Sequence, residues 1–179
     1  MKKELTVFAV LFFFCSAFAQ EHQSSYDHTQ KIKDLSGEEI QGYLAGHGMG
    51  LAKAAELNHH PGPKHVLEMA DQLHLNSEQR AKTQEIYDQM HKESVRLGKL
   101  YIAKEADLDS LFANSNLDET QLRDRVDEIS RIKGELRFVH LKAHLAMKKN
   151  LSPKQIVEYD RLRGYNISTN ENHQQHGHH

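Results

Sequence analysis

The sequence predicts an all-α protein organised around one long antiparallel helical hairpin. Three observations predict it. Apolar residues recur at steps of three and four over two long segments. No run shows the apolar–polar alternation of a half-buried strand. The sharpest breaks are short clusters of Gly and Pro ahead of those segments and an Asn-Ser-Asn link between them.

The chain opens with Lys2 and Lys3, an apolar run over residues 5–14, and the small-x-small triplet Ala17-Phe18-Ala19. That order is a secretory signal peptide over residues 1–19, cleaved after Ala19, and too short for a membrane span. Cys15 raises a lipoprotein anchor as the alternative, but Phe12-Phe13-Phe14 lacks the small residues of a lipid-attachment site. Cleavage removes Cys15, the only cysteine, so the exported chain has no disulfide and depends on burial and association. Loss of Lys2, Lys3 and Glu4 makes the formal charge one unit more negative than the −2 of the whole chain. An acidic balance argues against nucleic acid as a partner, since phosphates call for a basic face. About 160 remaining residues suit one domain.

Residues 20–35 are polar and aperiodic and read as a disordered lead-in. The helical domain is expected over residues 36–165. Ser36-Gly37-Glu38-Glu39 carries a capping-box pattern and opens a helix to about Leu44. Gly46, Gly48 and Gly50 interrupt it before residues 51–58 resume helical composition. His59-His60-Pro61-Gly62-Pro63 is a turn, and Lys64 to His74 a short helix with Val66, Leu67, Ala70 and Leu73 on one side. The first long segment runs from Ser77 to about Ala113, with Tyr87, Met90, Ser94, Leu97, Tyr101 and Leu108 along its stripe. The second runs from about Asp118 to Lys149, with Leu122, Val126, Ile129, Ile132, Leu136, Val139 and Ala143. Both stripes are narrow seams of helices that pair lengthwise, and the short Asn114-Ser115-Asn116 link makes the pair antiparallel. A last helix spans Pro153 to Arg163 and stops at Gly164. Residues 166–179 form a flexible His-rich tail. Two thin seams bury little surface, so a homodimer is the expected assembly.

Two of the helix starts share one pattern: Leu75-Asn76-Ser77-Glu78-Gln79 and Leu151-Ser152-Pro153-Lys154-Gln155. Asn76 and Ser152 are N-caps, and Gln79 and Gln155 reach back from the third helical position. Leu75 and Leu151 precede the caps, where an apolar residue staples the entry of the chain. Two such starts flanking a long hairpin, in an exported chain, resemble the LTxxQ family of periplasmic proteins that includes Spy, CpxP and ZraP. The arrangement is also similar to the CnrX-type heavy-metal-resistance sensors. Asn76 and Ser152 stand where that family usually has threonine, and both keep the capping chemistry. The resemblance covers roughly residues 67–163. It implies a cradle-like homodimer acting in envelope stress in the periplasm. Family members act as metal-binding sensors, as ATP-independent chaperones of unfolded client proteins, or as modulators of a membrane sensor kinase or anti-sigma partner.

Fourteen histidines discriminate among these roles. His140 and His144 are four apart and share a helix face, the spacing that presents two imidazoles to one ion. With the turn near Asn116, residues whose numbers sum to about 232 stand at one height, which levels His91 with His140 and Asp88 with His144. His91 lies about 80° and His140 about 70° from their seams in the same sense, so the four converge on one side of the hairpin. Three nitrogens and one oxygen suit Zn²⁺, and also Cu²⁺ or Ni²⁺. His173, His176, His178 and His179 in the tail have a metal-binding composition, or are a solvated polar end. His47, His59, His60 and His65 are secondary candidates, and Met147, three residues past His144, is the methionine placed to join a site. Gly98 and Gly134 stand level and suggest close helix approach there, or space for a partner's side chain, the alternative being two unrelated tolerated glycines. Without a cysteine nucleophile, a glycine-rich phosphate loop or a serine elbow, the chain is not expected to be an enzyme.

Overall fold

The computed structural model describes residues 32–115 and 117–165 of the 179-residue chain. It is all-α: the described residues contain six helices and no strand. They are α1 (Gly37–Leu44), α2 (Lys53–Glu56), α3 (Pro63–Glu68), α4 (Ser77–Ala113), α5 (Glu119–Asn150) and α6 (Pro153–Leu162). The expected signal peptide with Cys15, and the tail with His173, His176, His178 and His179, lie outside the described residues.

Local chemistry sets the boundaries. Ser36 caps α1 in a reciprocal box with Glu39, and Asn76 caps α4 with Gln79. Asp118 caps α5 with Gln121, and Ser152 caps α6 with Gln155. Each side chain of the pair satisfies a backbone N–H that the first turn leaves without a partner. The Asp118 box is a third copy of the five-residue pattern, Leu117 to Gln121, beyond the two expected from the sequence. Left-handed Ser115 (φ 52) turns the chain out of α4, and Gly164 (φ 71) follows the end of α6. The helix expected from Lys64 to His74 covers only Pro63–Glu68; residues 69–74 are turns, with His74 left-handed at φ 50. That shape brings Leu73 and Leu75 both into the core ahead of the Asn76 cap.

The long helices α4 and α5 run antiparallel along each other, and cross-links place their register. Lys104 pairs with Glu128 at 3.0 Å, Ser94 meets His140 at 3.2 Å, and Asn150 Nδ2 donates to Thr83 Oγ1 at 3.0 Å. The seam holds two apolar clusters. One joins Ile40, Tyr43, Leu97, Tyr101, Ile129, Ile132 and Leu136; the other joins Val66, Leu73, Ile86, Met90, Ala143, Met147 and Tyr159. Ile32 and Leu35, which composition places in the lead-in, are buried in the first cluster, so the ordered core begins ahead of Ser36.

Two local readings change. Burial on α5 steps through Ile129, Ile132, Leu136, His140, Ala143 and Met147, so His140 occupies the seam position and Val139 stands at its edge. Gly98 does admit a close approach, but of α1: a Cβ there would lie 2.2 Å from the Tyr43 carbonyl oxygen, whereas one on Gly134 meets nothing within 4 Å.

Candidate metal centre

Between the two clusters the seam turns polar. Ser94, His140 and His144 are buried where the period of α4 and α5 calls for apolar side chains. A cavity of about 540 Å³ opens beside them, walled by the α1–α3 segment on one side and the hairpin on the other. Its donors are His140 and His144 of α5, His91 and Met90 of α4, His47 and Met49 of the glycine-broken loop, Glu56 of α2 and His65 of α3.

His144 is held in one tautomer. Its Nδ1 lies 2.7 Å from the His60 carbonyl oxygen, which can only accept, so Nδ1 carries the hydrogen and Nε2 the free lone pair. Gly62 makes room for that ring: a Cβ at position 62 would stand 3.0 Å from Cε1 and 3.2 Å from Nε2. His140 Nε2 is 3.2 Å from Ser94 Oγ. Burial, with the neighbouring His144 adding to it, pushes the His140 pKa down from 6.5 to about 4. Burial also lowers that of His144, against the opposing pull of the His60 carbonyl and Glu56. Both rings are therefore neutral at neutral pH, the form that binds a metal ion.

Glu56 was not a sequence candidate. Its Oε1 accepts from Tyr159 (2.9 Å), Tyr165 (2.8 Å) and Arg163 (3.1 Å), while Oε2 accepts none among the described residues. Burial opposes its charge, but hydrogen bonds from Tyr165 and Tyr159 and the charge of Arg163 outweigh it and lower the pKa. The carboxylate is thus kept ionised in the cavity wall. A carboxylate in a four-residue helix leaves no periodic signal; only its place three residues before His59-His60 marked it.

Of the four residues expected to converge, the structure brings His91, His140 and His144 to this cavity. Asp88 instead is exposed on α4 and accepts from Gln84 at 2.8 Å. His91 Nε2 donates to the Ala45 carbonyl at 3.1 Å, and its ring stacks on Tyr87. Among the secondary candidates, His47 and His65 line the cavity, whereas His59 Nδ1 is engaged with buried Asp160 at 2.7 Å. His60 contributes its carbonyl. Met147 is buried in the second cluster, and Met49 and Met90 are the thioethers at the cavity. Among the described residues no three His, Cys, Asp or Glu side chains are already gathered as an ion-holding group. Neutral imidazoles, an ionised carboxylate and two thioethers around one space are nevertheless the donor set of a borderline transition metal.

The two motif glutamines meet. Gln79 Nε2 donates to Gln155 Oε1 at 2.9 Å, and Gln155 Nε2 to Gln79 Oε1 at 3.0 Å. Their remaining amide hydrogens go to the Asn150 and Leu73 carbonyls, and each Oε1 also accepts its own cap N–H. The pair welds the start of α6 to the start of α4, and one turn on α6 buries Tyr159 beside the cavity.

The heavy-metal resistance family model matches residues 42–158, a span from α1 to the middle of α6 that includes the whole hairpin. No curated protein and no solved structure matches the chain.

Proposed function

The chain belongs to the heavy-metal resistance family, the family of the Spy, CpxP and CnrX-like LTxxQ proteins, and from that premise we propose that it captures a divalent transition-metal ion in the periplasm. The reading is a binding role, sensing or buffering, and not catalysis. Zn²⁺ is the leading ion, with Cu²⁺ and Ni²⁺ served by the same donors. The observation that carries it is the pair of buried, neutral imidazoles His140 and His144 facing a cavity that also holds Glu56. His91, His47 and His65 would complete the set when the ion draws the α1–α3 wall inward. The tail histidines His173, His176, His178 and His179 would raise the local ion concentration. The ion supplies a positive centre that joins the short N-terminal helices to the hairpin, and the chain supplies its neutral and anionic ligands.

Calorimetric titration of the purified protein with Zn²⁺ tests this. The His140→Ala/His144→Ala variant should lose at least a hundredfold in affinity at one site, leaving only weak tail binding. Unchanged affinity would remove the site.

A second reading rests on apolar side chains that the fold leaves outside. Phe138 and Leu145 on α5 are 58% and 56% exposed. They favour a homodimer contact or a chaperone surface for unfolded clients. Sedimentation velocity reads the first, and suppression of aggregation of a denatured test protein without metal reads the second. A partner in a membrane sensor kinase or anti-sigma complex follows from the family alone.

A further inference from the structure

The cavity is walled by the N-terminal helices and the hairpin, yet its carboxylate is held by the far end of the domain. Tyr159 of α6 donates to Glu56 Oε1 at 2.9 Å and accepts the Gly62 N–H at 3.2 Å. Gly62 in turn lies against the His144 ring. One phenol therefore ties the carboxylate wall to the imidazole wall. Past the end of α6, Arg163 Nη2 lies 3.1 Å from the same oxygen and 3.1 Å from Tyr165 Oη, and Tyr165 Oη donates to Oε1 at 2.8 Å. Tyr165 is itself part of the cavity wall.

Three donors on one oxygen exceed what an exposed glutamate needs, and they leave Oε2 as the oxygen for a ligand. We propose that Tyr159, Arg163 and Tyr165 are positioning residues that aim Glu56 at the ion, and that ion binding and docking of the C-terminal segment are therefore linked. The proposal rests on the cavity being an ion site. Its physical content is reciprocal: a carboxylate pre-oriented by docked Tyr165 binds the ion more tightly, and a bound ion holds Tyr165 docked by the same factor. Because the His-rich segment follows Tyr165 along the chain, occupancy of the cavity would be reported at the residue that precedes that segment.

The test uses the purified protein with His173, His176, His178 and His179 changed to Asn in every variant, and Zn²⁺ and Co²⁺ as probes. Tyr165→Phe removes one hydroxyl and should weaken Zn²⁺ binding about tenfold, the usual scale for a partner one bond behind a ligand. Glu56→Gln should weaken it at least as much, and the double variant no further than Glu56→Gln alone. The visible bands of the Co²⁺-loaded Tyr165→Phe protein should move toward those of Glu56→Gln, which a general loss of stability would not produce. In the parent, Zn²⁺ should slow tryptic cleavage of the Arg163–Gly164 bond several-fold, and this protection should vanish in Glu56→Gln. Parent-like affinity and spectrum in Tyr165→Phe, additive losses in the double variant, or no protection at Arg163 would each overturn the proposal. If His140→Ala/His144→Ala binds Zn²⁺ like the parent, the ion site itself fails; if binding needs those histidines but ignores Tyr165 and Glu56, only the positioning role fails.

Discussion

His140 is a polar residue in an apolar post. Its neighbours along the α5 seam are Leu136 and Ala143, and it is only 3% exposed. A ring so placed is stable while neutral, and protonation meets a desolvation cost that an unfolded chain does not impose. The pKa of His140 is about 4 when folded against 6.5 when free, and His144 shifts the same way. The unfolded state therefore binds more protons between those values. Stability is whole above pH 6.5 and falls as the pH drops toward 4, with His140 contributing about 3 kcal/mol of that loss. Urea midpoints measured without metal from pH 7.5 to 4.5 should decline accordingly, and His140→Leu should flatten the decline. His59 carries a left-handed backbone, φ 61, and its Nδ1 meets the buried Asp160 carboxylate at 2.7 Å.

At the scale of the helix start, capping and clamping are separable. The five-residue pattern occurs three times, at Gln79, Gln121 and Gln155, and all three close a capping box. Only Gln79 and Gln155 also hydrogen-bond one another across elements. Gln155→Glu keeps an oxygen for the Ser152 N–H but loses the donor to Leu73 and to Gln79. It should cost about 1–3 kcal/mol, the scale of buried acceptors left without partners. Gln121→Glu changes only its own exposed cap and should stay within about 0.5 kcal/mol. Equal effects in thermal melts would mean that the pair carries nothing beyond the caps. The hairpin was legible at this scale because two seams with steps of three and four admit little else. The length of α3 was not, since the turn region ends on left-handed His74, and a histidine adopts that conformation too seldom for its presence to announce it.

Across the whole molecule, α1 lies over the hairpin at Gly98, where the Tyr43 carbonyl takes the space of a side chain. Tyr43 then packs edge-on against Tyr101, with ring centroids 4.9 Å apart. Gly98→Ala must push α1 away and should destabilise by about 1–3 kcal/mol. Gly134→Ala, on an open face of α5, should stabilise by roughly 0.5–1 kcal/mol through helix propensity. Denaturant titration of the two variants checks both signs. Within one chain the two glycines do not meet; what matters at Gly98 is the third helix crossing it.

Residue order alone determined the long hairpin, the capped starts at Ser36, Asn76 and Ser152, and the histidine pair of α5. These depend on local period and on hydrogen bonds within three or four residues, which a sequence displays directly. Tertiary structure decided which histidines share a cavity, that Asp88 stays outside it, that Glu56 enters it, and that the two motif glutamines join. Those outcomes depend on how short helices fold back over the hairpin. That packing is set by glycine clearances and by hydrogen bonds between residues up to 109 positions apart, as Tyr165 is from Glu56, and no local pattern encodes them.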